Sequence, residues 1–298
     1  MKKFIFKIIP YLCFCLVLMV GVPIMVDPYN VFHWKNARNN GVEPNKNYIK
    51  MSYILNNPNK YDAFLFGSSR VGAIHTEKID GVDCYNMTYS MGTPSENLAN
   101  LKTMLKAGIR PKRVYIGIDT LSYTVDATLH NNEAARASYE YLKSDFQNFA
   151  DHYFSLINSV KSLSIITSGV EAPGVAEIYE YGWWADYDYQ SSYDWTHEGV
   201  TKGTTYEIDE AVDNIAEMNQ LCNEYDIDFV VFTNPMTAMA YQDAIDNGYE
   251  EFIDKISEFT EVIDFSYLNG TKEDHSHFID ESHYTAQVGD EMIKVLNQ

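Results

Sequence analysis

Basic residues, cysteines and long hydrophobic runs are all scarce in this 298-residue sequence. Its 42 acidic residues outnumber 22 lysines and arginines, which gives a formal net charge of −20. Such a surface repels phosphate backbones, so nucleic-acid binding is disfavoured. The four cysteines are too few for a disulfide-rich framework. The sequence also lacks internal repeats and low-complexity segments, which excludes a repeat array.

The cysteines fall into two pairs with different surroundings. Cys13 and Cys15 lie inside the one long apolar segment, which removes them from any external metal site. Cys84 and Cys222 lie in the remainder of the chain and are compatible with one disulfide or with two buried free thiols. We expect the free thiols, and we predict that the protein needs no cofactor.

The apolar segment runs through residues 8–26 without a charge, after Lys2, Lys3 and Lys7. At about 1.5 Å per residue its length approaches the roughly 30 Å of a bilayer core. Lysines on its N-terminal side predict a cytoplasmic N-terminus and an extracytoplasmic remainder, anchored in the cell membrane by a single pass. A cleaved signal peptide is the alternative, although the following residues offer no clean small-x-small cleavage site.

Short apolar runs alternate with helical patterns along the rest of the chain. This order predicts an α/β fold, a three-layer sandwich around a central parallel sheet. The predicted strands are 62–66, 82–87, 113–119, 228–233 and 261–265. The predicted helices are 94–107, 132–143, 145–163, 205–225, a region ending at residue 259, and 282–296.

The pattern divides the chain into an anchor (1–26), a stalk and leading helix (27–59) and a main domain (60–298). Within the main domain, 121–205 interrupts the α/β order and is rich in aromatic residues, so we interpret it as an insertion or lid over the sheet. Trp183 and Trp184 lie in it. Such rings stack on sugars, but they serve equally as a lid's own core or as a docking surface for a membrane partner.

The first candidate motif follows the first predicted strand. Gly67, Ser68 and Ser69 have the composition of a tight strand-to-helix turn, which exposes a serine hydroxyl beside free backbone N–H groups. Such a turn is also a common structural element without chemistry. Ser69 is the candidate nucleophile.

The second candidate motif lies near the C-terminus. Asp280 precedes His283 by three residues, a spacing that lets a carboxylate orient an imidazole base. The structural alternative makes Asp280 a helix N-cap and His283 a surface residue. His275 and His277 are alternative bases, and a metal site formed with them is a further alternative, although their spacing matches no standard metal motif.

Together the two motifs resemble the SGNH (GDSL-like) hydrolase superfamily. Its serine ends the first strand, and its aspartate lies three residues before the histidine near the C-terminus. The apolar segment and the GSSR variant are similar to the membrane-anchored members, which include DltD-like proteins and the SGNH partners of membrane-bound O-acyltransferases. The resemblance implies acyl transfer or hydrolysis on a surface polysaccharide or teichoic acid, with Ser69, Asp280 and His283 catalytic.

The middle of the chain departs from that family pattern. The resemblance implies oxyanion donors at the backbone of Ser69 and of Gly92, but Asp119 stands where the family places a donating asparagine. An ionised aspartate cannot donate a hydrogen bond. Thr120 and Asn234 are the alternative donors.

Arg70 follows the candidate nucleophile, where it is placed to bind an anionic substrate or to form a salt bridge within the fold. The leading hypothesis is therefore a serine-dependent O-acyltransferase or acyl esterase. The second is a catalytically weak scaffold or polymer-binding partner of a membrane-bound O-acyltransferase. A metal-dependent hydrolase is the third.

Overall fold

The computed structural model describes residues 2–32, 42–168, 180–182, 195, 207–266, 275–281 and 283–298. Its centre is a parallel five-stranded sheet with the strand order β2-β1-β3-β4-β5, which confirms the predicted α/β class. The strands are β1 (Ala63–Phe66), β2 (Cys84–Asn86), β3 (Arg113–Ile118), β4 (Asp228–Thr233) and β5 (Val262–Ile263). All pairings are parallel, as the βα alternation requires.

Strands β1, β2 and β3 are buried on both faces, apart from the half-buried Arg113. All four residues of β1 are buried, although successive side chains point to opposite sides. On one side, Ala63 and Leu65 pack in a core with Val288 and Met292 of the last helix. The continuous apolar runs of the sequence reflect this burial on both faces.

The helices have the following bounds. In the first half of the chain they are α1 (Lys2–Leu16), α2 (Val22–Val26), α3 (Lys46–Asn56), α4 (Pro94–Lys106), α5 (Leu121–Thr124), α6 (Tyr139–Ser144), α7 (Phe146–Tyr153) and α8 (Leu156–Ser168). In the second half they are α9 (Ile208–Glu224), α10 (Ala238–Asp246), α11 (Tyr249–Ser257) and α12 (Ala286–Leu296). A π-helical segment, Val17–Gly21, joins α1 to α2.

The chain forms two compact units. One comprises Met1–Ile49 and Thr128–Pro173, and the other comprises Lys50–Ala127 and Gly174–Gln298. The first unit therefore combines the N-terminal segment with α6, α7 and α8, while the second contains the sheet. Our interpretation of 121–205 as a lid over the sheet, like the other predicted domain boundaries, stays a prediction.

The two helices predicted within 132–163 are wrong in their bounds. Ser138 accepts a hydrogen bond from the Tyr141 N–H and caps α6, so that helix begins at residue 139. The second predicted helix is divided between α7 and α8. The Asn158 side-chain amide donates to the last carbonyls of α7, those of His152 and Tyr153, at 2.7 and 3.0 Å, and so ends α7.

The N-terminal helix is long and apolar enough to cross a membrane, over Phe6–Val26. Its large apolar side chains are mostly exposed, including Leu12, Phe14 and Leu16. Cys84 and Cys222 are both buried and both free thiols.

Candidate active site

The candidate nucleophile lies on a turn at the carboxyl end of β1. Gly67 adopts φ +143°, and an added Cβ there would lie 2.8 Å from the Gly117 carbonyl oxygen, so only glycine fits. The chain then enters a short 3-10 helix, Ser69–Val71, whose N-cap is Ser68. Ser69 is therefore the first residue of a helical turn, where backbone N–H groups lack partners within the helix.

The candidate base lies on a narrow loop before α12. The Ile279 N–H donates to the His283 carbonyl at 2.8 Å, and the Thr285 N–H donates to the His277 carbonyl at 2.9 Å. These bonds close the loop and place Asp280 at its tip. The predicted helix start at residue 282 is wrong, because α12 begins at Ala286 with Thr285 in the N-cap position.

The structure brings the three sequence-predicted residues into hydrogen-bond contact. His283 Nε2 lies 2.9 Å from Ser69 Oγ. On the other side of the ring, Nδ1 lies 2.9 Å from both carboxylate oxygens of Asp280. Since an ionised carboxylate only accepts, Nδ1 carries the proton and Nε2 is the acceptor that faces the serine hydroxyl. The His283 backbone N–H also donates to Asp280 Oδ1 at 2.8 Å, which fixes the carboxylate.

Asp119, where the resemblance implied an oxyanion donor, accepts hydrogen bonds within the fold. Asp119 is fully buried just after β3. Its Oδ2 accepts from the Ser68 hydroxyl at 2.6 Å, and its Oδ1 accepts from the Leu121 N–H at 2.7 Å. Asp119 therefore anchors the turn that carries Ser69 by holding the preceding residue.

Asn234 extends this buried network to the histidine loop. Its amide donates to Asp119 Oδ2 at 3.3 Å and to the Ile118 carbonyl at 3.4 Å, and its oxygen accepts from the Tyr284 hydroxyl at 3.2 Å. Tyr284 directly follows His283. The result is a second chain of hydrogen bonds, from Ser68 through Asp119 and Asn234 to Tyr284, beneath the Ser69–His283 contact. The Asn234 side-chain amide therefore has acceptors within the fold.

Arg70 forms a salt bridge within the fold. Its Nη1 lies 3.6 Å from Asp119 Oδ1 and donates to Thr120 Oγ1 at 3.2 Å. Its side chain is 9% exposed. Of the two roles considered for Arg70 from the sequence, these contacts favour the internal ion pair. They also give Thr120 an accepting role toward Arg70.

The two backbone donors implied by the family resemblance differ. Among the residues that the structure describes, the Ser69 N–H has no hydrogen-bond partner. The Gly92 N–H donates to the Tyr89 carbonyl at 3.1 Å. Gly92 nevertheless packs against the turn, because an added Cβ would lie 2.5 Å from the Gly67 carbonyl oxygen. Gly92 thus lies beside the turn with its own N–H already engaged.

A buried tyrosine interacts with the charged residues at the carboxyl edge of the sheet. Tyr249, at the start of α11, is 3% exposed. Burial raises the pKa of its hydroxyl, and the negative charges of Asp264 and Asp119 act in the same direction. Tyr249 is therefore neutral at physiological pH and does not compete as a base.

The remaining candidates are only partly described. Trp183 and Trp184 lie outside the described residues. Trp195 stacks on His275 with ring centroids 4.1 Å apart and packs against the sheet core, which gives this aromatic residue a packing role. Within the described ranges, no group of three or more histidine, cysteine or acidic side chains converges as metal ligands would.

The sequence interpretation missed Ser68 and Tyr284. Each is the immediate neighbour of a predicted site residue, and each belongs to the buried network. The serine pair after the first strand could have identified Ser68. Because the side chains of consecutive residues point in different directions, one hydroxyl can face a substrate while the other bonds within the fold. Nothing in the local sequence around Tyr284 indicates that its hydroxyl meets Asn234, fifty residues away.

No protein-family model and no curated protein matches the chain. Among solved structures, it is similar to a Bacteroides fragilis protein described as a "putative acylhydrolase". The TM-score is 0.41 at 13% identity, over 79% of this chain and 84% of that one. A likeness at this level defines neither a family nor an activity.

Proposed function

We propose that this chain is a serine-dependent acyl hydrolase or O-acyltransferase. The observation that carries the proposal is the pair of contacts made by His283, to Ser69 Oγ through Nε2 and to Asp280 through Nδ1. A serine hydroxyl is a weak nucleophile until an adjacent base removes its proton, and the base is most effective when a carboxylate orients it.

The proposed reaction begins with attack of Ser69 Oγ on an acyl carbonyl, while His283 Nε2 accepts the hydroxyl proton. Asp280 stabilises the resulting imidazolium. The Ser69 N–H is the donor proposed for the oxyanion. His283 then protonates the leaving group, which departs and leaves an acyl-serine ester. A second attack, by water or by an acceptor hydroxyl activated by His283, releases the serine.

The proposed site of action is the outer face of the cell membrane, with a surface polysaccharide or teichoic acid as the substrate. The helix Phe6–Val26 supports membrane anchoring, and Lys2, Lys3 and Lys7 at its N-terminal end support an extracytoplasmic main domain. The proposed partner is a membrane-bound O-acyltransferase. This part of the proposal depends on the family resemblance of the two motifs.

Labelling with a fluorophosphonate probe tests the nucleophile. The probe phosphonylates an activated serine, so we expect labelling of the wild type and none of Ser69→Ala. Ser164→Ala is the matched control, because Ser164 is exposed on α8 and should label like the wild type. Equal labelling of wild type and Ser69→Ala would show that Ser69 is not the nucleophile.

A catalytically weak scaffold remains the second candidate, on the specific observation that the Gly92 N–H is engaged and that Asp119 accepts rather than donates. Loss of one oxyanion donor costs roughly a hundredfold to a thousandfold in rate. Polymer modification in cells separates the two candidates. Full modification with Ser69→Ala would support the scaffold, and loss of modification would support the enzyme.

A further inference from the structure

Helix α8, in the first compact unit, buries mostly polar side chains and exposes many apolar ones. This is the reverse of a helix on the surface of a water-soluble protein. Its buried positions are mostly polar: Asn158, Ser159, Ser162 and Ile165. Most of its exposed positions carry large apolar side chains: Leu156, Ile157, Val160, Leu163 and Ile166, each between 44% and 68% exposed. The other exposed positions are Lys161, Ser164 and Thr167. Water-soluble proteins bury apolar side chains, so this arrangement is unfavourable for a helix surrounded by water.

The same arrangement is favourable in a membrane. Lipid chains are as apolar as leucine, so apolar side chains gain nothing by turning inward. Helices in bilayers instead associate through small residues and hydrogen-bonding side chains such as serine and asparagine. The buried face of α8 has this composition.

The polar face of α8 packs against the C-terminal part of the N-terminal helix, within the same unit. Ser159 Oγ donates to the Leu18 carbonyl at 2.7 Å and also lies 3.0 Å from the Ser155 carbonyl of its own helix. That carbonyl lacks its usual main-chain donors, because the Val22 N–H pairs with the Val17 carbonyl and Pro23 has no N–H. An unpaired carbonyl is costly in hydrocarbon, and the serine hydroxyl supplies the missing donor.

The position of this contact along the N-terminal helix indicates how far α8 would extend into a bilayer. Leu18 precedes the end of the apolar helix at Val26 by about 12 Å, at 1.5 Å per residue. With 13 residues, α8 is about 20 Å long, too short to cross a bilayer. It is long enough to enter one leaflet.

The one charged residue of α8, Lys161, has polar partners within the first unit. Lys161 Nζ donates to the Tyr29 hydroxyl at 3.1 Å, and the Tyr29 hydroxyl donates to Asn158. Lys161 also lines an open cleft of about 430 Å³ together with Glu133, Asp151 and Ile157. A lysine can extend its ammonium to such a polar region while its stem lies along apolar surface.

We propose that α8 is embedded in the outer leaflet beside the N-terminal helix, with its exposed apolar face in contact with lipid acyl chains. The proposal commits to lipid because this face is continuous with the exposed apolar surface of the helix against which α8 packs. It does not depend on catalysis by Ser69.

Spin-label accessibility in lipid nanodiscs tests the proposal on the full chain. Cys13 and Cys15 are replaced by alanine, and a nitroxide is attached in turn at Val160→Cys, at Val17→Cys on the N-terminal helix, and at Lys143→Cys on α6. All three positions are exposed, and circular dichroism checks that each labelled protein is folded. At Val160 we expect collisions with oxygen to exceed those with a water-soluble nickel chelate, as at Val17, and the reverse at Lys143.

Two results would overturn the proposal. If Val160 and Lys143 are equally accessible to the nickel chelate, α8 lies in water. If Val160 is shielded from both reagents, protein rather than lipid covers the face. Fluorophosphonate labelling of the same samples reports on Ser69 independently, so failure of the membrane proposal is distinguishable from failure of the proposed activity.

Discussion

Two sets of polar residues lie at the carboxyl edge of the sheet and differ in burial. The outer set consists of Ser69, His283 and Asp280, whose histidine and aspartate side chains are 23% and 33% exposed. The inner set consists of Ser68, Asp119, Asn234 and Tyr284, all at most 2% exposed. Serine occurs in both sets, and so does aspartate. Residue type alone therefore does not decide which set can meet a substrate.

The difference in burial between the two sets arises at two turns of the chain. Consecutive residues at a turn point to different sides, so Ser68 and Ser69 separate into the two sets, and His283 and Tyr284 do the same. The inner bonds hold the two loops in register, while the outer bonds involve two partly exposed side chains, those of His283 and Asp280, and the 8% exposed Ser69. We therefore expect substitutions in the outer set to change reactivity and substitutions in the inner set to change stability first.

The largest expected effect is on reactivity, at His283. His283→Ala removes the proposed base, so the rate of fluorophosphonate labelling should fall by more than about a thousandfold. Its side chain is partly exposed, so the free energy of unfolding should change by less than about 1 kcal/mol. The matched control is His277→Ala, which should label like the wild type. If His283→Ala labels as fast as the wild type, His283 is not the base that activates Ser69.

Asp119→Ala should have the largest effect on stability. It leaves the Arg70 guanidinium buried without its carboxylate and removes the acceptor for Ser68, which should cost about 3–5 kcal/mol. Denaturant unfolding in detergent measures this loss. Asp254→Ala, an exposed carboxylate on α11, is the control and should be neutral. Unchanged stability in Asp119→Ala would contradict the anchoring role of the inner set.

A smaller effect is expected for Tyr284→Phe. The substitution keeps the ring and removes the hydroxyl that donates to Asn234, which leaves a buried acceptor unpaired and should cost about 1–2 kcal/mol. If the inner set holds the histidine loop in place, labelling of Ser69 should also slow modestly. Tyr225→Phe keeps its ring beside Arg110 and serves as the control, measured by the same unfolding and labelling assays. Identical behaviour of the two variants would show that the Asn234 contact does not position the loop.

The smallest expected effect concerns the two buried thiols, those of Cys84 and Cys222. They test whether burial suppresses the reactivity of a nucleophile. Burial raises the pKa of Cys222 from 9.0 to about 12 and also raises the pKa of Cys84. Both should therefore resist iodoacetamide at pH 8 in the folded protein and react after unfolding, as peptide mass analysis would detect. Because the unfolded thiols ionise first, the free energy of unfolding should decline as pH rises from 9 toward 12. Rapid alkylation of either native thiol would show that burial does not suppress its reactivity.

Much of the main domain follows from local pattern. The apolar runs predicted every strand end to within two residues, because a strand buried on both faces admits few polar residues. Helix α4 begins at Pro94 as predicted, but the Thr93 hydroxyl donates to Glu96 instead of capping the backbone. Two of the errors lie where a side chain just outside a helix binds its end, as Ser138 does for α6 and Asn158 does for α7.

By itself, the sequence determined the α/β order, the apolar helix and the identity of Ser69, Asp280 and His283 as candidates, since each depends on spacing along the chain. Only the tertiary structure decided that Asp119 is a buried anchor, that Arg70 pairs within the fold and that α8 presents an apolar face outward. These properties depend on which atoms meet across long stretches of chain. Local sequence specifies an element's own pattern, whereas burial and hydrogen-bond partners are set by the elements packed against it.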